Sequence, residues 1–256
     1  MKLFHRTSKI VRLTQEGFQF IHYAGEIQKL WEVARNRMKE SSLSLPKRLV
    51  VGCRSTAEMR MLRPGLEALR REAPELLPEL RLIPFDSLEN LLTDGDVHLM
   101  FAFRDSVPAK TRFRELLRCP VMCLCAPEHP LAQGETVTLE QLRRAGRIAT
   151  CRPPICPPAL FSLQSQAVGG RPTEEILFCD NQEAMLTLVE TGYAFAVAAD
   201  FPFARLPGLR YLPVEEFQPL SFGAVFLPRE RNPGLHRLLT LLEEQFRQAG
   251  APRDGA

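Results

Sequence analysis

From Leu49 onward the chain alternates short apolar runs with amphipathic helical stretches, and that alternation leaves few folds open to it. Leu49-Val50-Val51-Gly52-Cys53 reads as a strand, and residues 56–72 as a helix that Pro64 should kink. Residues 80–85 form a second strand, residues 87–93 a helix and residues 97–103 a third strand. Residues 116–126 form a fourth strand, interrupted by Pro120. A β-α-β-α-β order implies a parallel, doubly wound sheet with helices on both faces. The proline-rich residues 127–131 mark a change of unit, and a second block follows. It has a helix at 139–145, strands at 147–151, 175–179, 193–198 and 209–212, and a helix at 182–190. Four prolines in residues 153–158 predict an extended loop. A strand at 222–227 and an amphipathic helix at 233–248 close the pattern, and a frayed tail is expected after Ala249. No repeat of fixed short period runs through the chain.

The first forty residues are different in kind. Thr14 is placed to cap a helix. Phe20, Ala24, Ile27, Trp31, Ala34 and Met38 then recur at spacings of four, three, four, three and four. That is the seam of a two-helix coil rather than the wider stripe of a helix lying on a domain. The seam therefore predicts a dimer interface; packing on the chain's own body is the alternative. Residues 41–46 break the helix and read as a hinge.

Bulk composition excludes more than it assigns. The chain has 256 residues, 45% hydrophobic and 25% charged, which suits a globular protein with real cores. Its net charge of +3 decides little, but Lys2, Arg6, Lys9 and Arg12 stand in the first twelve residues without an acid among them. That is a footprint for phosphate contact. No segment approaches the roughly 18 apolar residues of a membrane helix, and the N-terminus lacks the apolar core of a signal peptide. A cytoplasmic protein without a membrane partner is expected. Seven cysteines (Cys53, Cys119, Cys123, Cys125, Cys151, Cys156 and Cys179) include no Cys-x-x-Cys pair, so free buried thiols are the expectation. The five histidines are scattered, which argues against a metal site, and nothing implies a cofactor. There is no glycine-rich phosphate loop, Gly-x-Ser-x-Gly elbow or His-Glu-x-x-His, so an enzyme is not expected.

Several short patterns fall in a telling order. Leu3-Phe4-x-Arg6 and Val11-Arg12-Leu13-Thr14-x-x-Gly17 come first. Gly52, Leu62-x-Pro64, Asp94-Gly95-Asp96-Val97, His129-Pro130-Leu131-Ala132, Thr138-Leu139 and Gly192 follow. Together they resemble the LysR-type transcriptional regulators, beginning at the wing of the winged helix-turn-helix. Two departures are Ala198-Ala199, where the family usually has Leu-Pro, and a cysteine-rich strand before the His-Pro-Leu-Ala tetrad. The resemblance implies an α/β fold with a two-lobed, periplasmic-binding-protein-like effector domain. It implies a wing remnant over 1–14, a linker and dimerisation helix over 15–41, lobe I over 47–126 and 222–249, and lobe II over 127–221. It also implies a homodimer or homotetramer, DNA as partner, and a small, often anionic effector between the lobes. The wing residues would contact the DNA backbone. The helices that read bases would precede Met1, through an upstream start; without them the chain would be a head-less sensor or dominant-negative partner.

In open α/β sheets, ligands lie at the carboxyl ends of strands, where helix N-termini offer N–H groups. Arg54, Ser55 and Thr56 follow the first strand, and Phe103 and Arg104 the third. Thr150 and Cys151 end a strand of the second block, and Asp180 and Asn181 precede a helix. These nine are the candidate ligand contacts; for Ser55, Thr56, Asp180 and Asn181 a role as helix cap is the competing explanation.

Overall fold

The computed structural model describes residues 2–6, 11–40, 48–83, 88–153, 155–201 and 203–250. At the N-terminus β1 (Phe4–Arg6) and β2 (Val11–Leu13) form an antiparallel hairpin, with Phe4 opposite Leu13. Helix α1 (Gln15–Glu40) starts directly after it. The joint is made by Thr14. Its N–H donates to the Leu3 carbonyl at 3.1 Å, its hydroxyl donates to the Lys2 carbonyl at 2.8 Å, and the same hydroxyl accepts the Gly17 N–H at 2.9 Å. A Cβ on Gly17 would run into the Leu3 carbonyl, so the Thr-x-x-Gly pattern is what lets helix and hairpin close on each other. Lys2, Arg6 and Arg12 belong to this hairpin segment, whereas Lys9 lies outside the described residues. So do residues 41–47, where the hinge was expected, and the tail beyond Gly250.

The body then runs through β3 (Arg48–Cys53), α2 (Thr56–Met61), α3 (Arg63–Glu72), β4 (Leu77–Leu82), α4 (Leu88–Thr93), β5 (Met100–Phe103) and β6 (Arg112–Cys119). It continues with β7 (Val121–Cys125), α5 (Leu139–Arg144), β8 (Ile148–Cys151), α6 (Pro158–Val168), β9 (Ile176–Cys179) and α7 (Gln182–Glu190). Strands β10 (Phe195–Ala199), β11 (Arg210–Pro213) and β12 (Leu220–Phe226) and helix α8 (Pro233–Gly250) complete it. One lobe holds the parallel pair β3-β4 and the antiparallel sheet β5-β12-β6, joined by a bridge from Val51 to Leu99. The other holds a five-stranded sheet in the order β11-β7-β10-β8-β9. The described residues thus form a mixed α/β body whose lobes are built on open sheets.

Several sequence expectations change in detail. The first sheet is parallel only between β3, β4 and the bridge to β5; β12 and β6 run antiparallel. Residues 116–126 are not one strand. Pro120, which has no N–H to give a ladder, separates β6, paired with β12, from β7, paired with β10 and β11. The chain therefore crosses between sheets at Pro120, before the proline-rich stretch expected to mark the change. Residues 56–72 are two helices broken at Leu62, with Pro64 inside the first turn of α3 rather than kinking a continuous helix. Helix α6 was not expected at all: it begins at Pro158 after the prolines that suggested only a loop. Packing fits the lengths of these pieces. A Cβ on Gly65 would approach Leu242 Cδ2 to 2.6 Å, so α3 and α8 meet where the sequence has no side chain.

Candidate functional site: the cleft between the lobes

The carboxyl end of β3 delivers Cys53-Arg54-Ser55 to the seam between the sheets, where α2 begins. Ser55 caps α2 by accepting the Glu58 N–H at 3.3 Å. One turn on, Glu58 folds back onto Arg54. Its Oε2 accepts the Arg54 backbone N–H at 2.8 Å, and its Oε1 accepts Nε at 3.3 Å and Nη2 at 3.2 Å. The two side chains are only 4% and 6% exposed. Both carboxyl oxygens accept N–H donors, the arrangement of an ionised carboxylate beside its guanidinium. Burial raises the pKa of Glu58 above its ordinary value, against the pull of the Arg54 charge and hydrogen bonds.

The facing wall comes from the second lobe. Thr150 donates to Gln164 Oε1 at 2.7 Å, Gln164 Nε2 donates to the Val197 carbonyl at 2.7 Å, and the Cys156 thiol reaches Gln164 Oε1 at 3.3 Å. Gln164, projecting from α6, is thus a buried hub tying α6 to β8 and β10. Phe103 and Phe201 line the cleft, and Phe222 packs against both of them. Phe222 lies edge-on to both others, with centroids at 5.0 Å from Phe103 and 4.8 Å from Phe201. Between these walls lies a cavity of about 60 Å³, lined among others by Arg54, Glu58, Phe103, Cys151, Leu160, Met185 and Ala198.

Among the described residues, hydrogen bonds bridge the lobes beside the cleft at two places away from the crossing at Pro120. Glu183 Oε1, in the first turn of α7, accepts both the backbone N–H and the hydroxyl of Thr56 at 2.9 Å. Asp105 Oδ2 accepts the Ala159 N–H at 2.6 Å, at the N-terminal turn of α6, whose cap residue Pro157 supplies no side-chain bond. In each case a carboxylate from one lobe satisfies helix-terminal donors of the other.

Of the nine candidate contacts, Arg54, Ser55, Phe103 and Cys151 line the cavity. Thr56 stands at its rim, bonded to Glu183. Thr150 lies behind the wall, buried and bonded to Gln164. Asn181 is the side-chain cap of α7, accepting the Ala184 N–H at 2.7 Å, and the exposed Asp180 is not among the lining residues. Arg104 turns away from the cleft: its guanidinium lies 5.0 Å from the centroid of the Phe113 ring on its own lobe. Sequence reasoning missed Glu58, Cys156, Gln164, Met185 and Phe201. Glu58 had a signal, because a carboxylate four residues after an arginine at a helix start faces it. Gln164 had none, since its helix was not foreseen.

The seven cysteines are all buried and free. Burial pushes the Cys151 and Cys156 thiols up to about 12, and the nearness of Cys179 to the first and of Cys151 to the second further opposes their ionisation. Thiols held neutral in this way are poor nucleophiles, and in the cleft they act as soft, weakly polar wall. Among the described residues no group of three His, Cys, Asp or Glu side chains is placed to hold a metal ion. No helix among them is long and apolar enough to cross a membrane.

Comparison with known proteins agrees with this geometry. The family model described as the LysR substrate binding domain matches residues 44–247. No curated protein matches the chain. Among solved structures, CbnR bound to its target DNA superposes with a TM-score of 0.69 at 19% identity, covering 91% of this chain and 82% of that one. A full-length BenM variant gives 0.66 at 19% identity, covering 98% and 84%. A full-length OxyR variant from Pseudomonas aeruginosa gives 0.63 at 16% identity, covering 94% and 84%. These likenesses carry the fold: a two-lobed effector domain of periplasmic-binding-protein type. With most of its length matched by the family's own domain model, the chain belongs to the LysR family of transcriptional regulators.

Proposed function

We propose that this protein regulates transcription by binding a small molecule in the cleft between its lobes and DNA through a dimeric assembly. The observation that carries the reading is the cleft itself. Buried residues of both lobes line one cavity, and hydrogen bonds from Asp105 and Glu183 span it. A ligand held there makes contacts that differ between open and closed lobes, so its binding shifts their balance. Lobe domains 48–119 with 220–250, and 121–217, are the rigid parts of that motion; Pro120 and residues 218–219 are the crossings. The exposed face of α1 supplies the contact between copies, through Phe20, Ala24, Ile27 and Trp31, with Ala34 and Met38 continuing it along the helix. Lys2, Arg6, Lys9 and Arg12 approach the phosphate backbone, where such cations position a protein without specifying sequence. No step of this function requires catalysis or a cofactor, and its place is the cytoplasm, with the DNA.

The test uses DNA flanking the protein's own gene and an Ala198→Trp variant, in which an indole fills the cavity. The wild-type protein is expected to shift that DNA in a gel and to alter transcription from it. The variant should keep the dimer and lose the dependence of transcription on growth conditions. Absence of any DNA shift contradicts the regulatory reading; an Ala198→Trp protein that still responds as the wild type contradicts the cleft.

A further inference from the structure

Around this cleft the groups that would hold an anion are met by the protein's own acids. The Arg54 guanidinium and backbone N–H carry Glu58. The Thr56 N–H and hydroxyl at the start of α2 carry Glu183. The Ala159 N–H at the start of α6 carries Asp105. At α7 the Ala184 N–H is taken by the Asn181 side chain. The rest of the wall is mostly apolar, with Phe103, Leu160, Met185 and Phe201 beside two neutral thiols; of its two uncharged amides, Gln164 is bonded on both its oxygen and its nitrogen, and Gln182 is a dipole without charge to balance an anion.

Resting on the reading of the cleft as an effector site, we infer that its effector is a small, uncharged and largely apolar molecule, and that Glu58 is the residue that excludes carboxylates. A carboxylate entering the cavity meets an arginine whose charge is already balanced. It loses its hydration and lies beside the Glu58 charge in a low-dielectric pocket, where like charges repel strongly. An amide of the same shape has no such cost, and gains the burial of its apolar part. The anionic effector implied by the family resemblance is thus the class this particular cleft rejects. The Ser55 hydroxyl, which accepts the Glu58 N–H, still has its own proton to donate to a neutral ligand.

Benzamide and benzoate make the test, because they share a shape and differ in charge. Dissociation constants are measured by calorimetry or ligand-observed NMR for the wild-type chain, Glu58→Gln and Glu183→Gln. The wild type is expected to bind benzamide at least roughly ten-fold more tightly than benzoate. Glu58→Gln removes the carboxylate charge beside Arg54 and should tighten benzoate by roughly ten-fold or more, with benzamide changed by less than about three-fold. Glu183→Gln, on the rim, tests the same logic should the buried variant fail to fold: the preference moves toward benzoate by about three-fold. Benzoate binding to the wild type as tightly as benzamide overturns the proposal while leaving an effector cleft in place. A preference for benzamide that neither variant alters overturns the assignment to Glu58 and its companions. If neither probe binds any of the three proteins, the cleft is not an effector site, and the proposal falls with that reading.

Discussion

Helices α1 and α8 are both long and both carry an apolar stripe, yet they end in opposite environments. In α8, 18 residues long, Leu235, Leu238, Leu239 and Leu242 are fully buried, and Glu243 holds Arg114 of β6 at 2.5 and 2.6 Å. In α1, 26 residues long, the seam residues Phe20, Ile27 and Trp31 are more than half exposed, at 52%, 68% and 66%. The difference lies in what faces each stripe. Gly65 opens α3 so that α8 can sit against it; α1 leaves the hairpin at Thr14 with no comparable surface against its described side chains. An apolar stripe of that size costs free energy in water, about 1.5–3 kcal/mol for each large side chain left uncovered. The comparison teaches that α8 completes a lobe, whereas the described side chains of α1 keep their stripe uncovered, as the proposed pairing with another α1 requires.

The largest expected effect is on the α8 side. Leu238→Ala removes a fully buried side chain and should destabilise the body by about 2–5 kcal/mol in a urea titration, without altering self-association. A loss well under 1 kcal/mol would mean that α8 is not integral to the lobe. Paired cap substitutions sharpen the contrast. Asn181→Ala, in the packed body, should cost about 1 kcal/mol of global stability. Thr14→Ala loses a comparable cap, but outside the body. It should leave the unfolding midpoint unchanged and speed amide exchange near Gly17 and Phe18. Equal shifts of midpoint in the two variants would show that α1 folds as part of the body.

The smallest effect is a pH dependence confined to the body. Burial lowers the pKa of His129, against the pull of its bond to the Ala145 backbone. Between the depressed folded value and an unfolded value near 6.5, the unfolded chain binds more protons. This contribution is therefore complete above about pH 6.5 and is lost as pH falls through that window toward the folded value. His129→Gln should flatten the slope of stability against pH below about 6.5. An unchanged slope would assign it to other groups.

The order of strands and helices was legible because each carries its own period, and α7 falls at the residues expected for it. The Thr14-x-x-Gly17 joint was legible because a hydroxyl cap and a glycine at a close approach are local requirements. Sheet membership was not. Pro120 shows that a ladder is broken, but only long-range pairing decides that β6 joins β12 while β7 joins β10. Helix α6 was hidden because Pro158 both ends a loop and opens a helix. At the cleft, Arg54 and Phe103 could be placed from the ends of their strands. The burial of Glu58 against Arg54 depends on the second lobe closing over both, which no local pattern records. Arg104 follows Phe103 in sequence but lies over Phe113, since successive residues at a strand end point to opposite sides.

The claim that α1 is completed by a second copy is tested most directly by sedimentation equilibrium of the wild-type chain and a Trp31→Glu variant. The account predicts a wild-type mass that is a multiple of 29.0 kDa and a smaller assembly for the variant, with the body still folded. A wild type that sediments at 29.0 kDa, or a variant of undiminished mass, would contradict it.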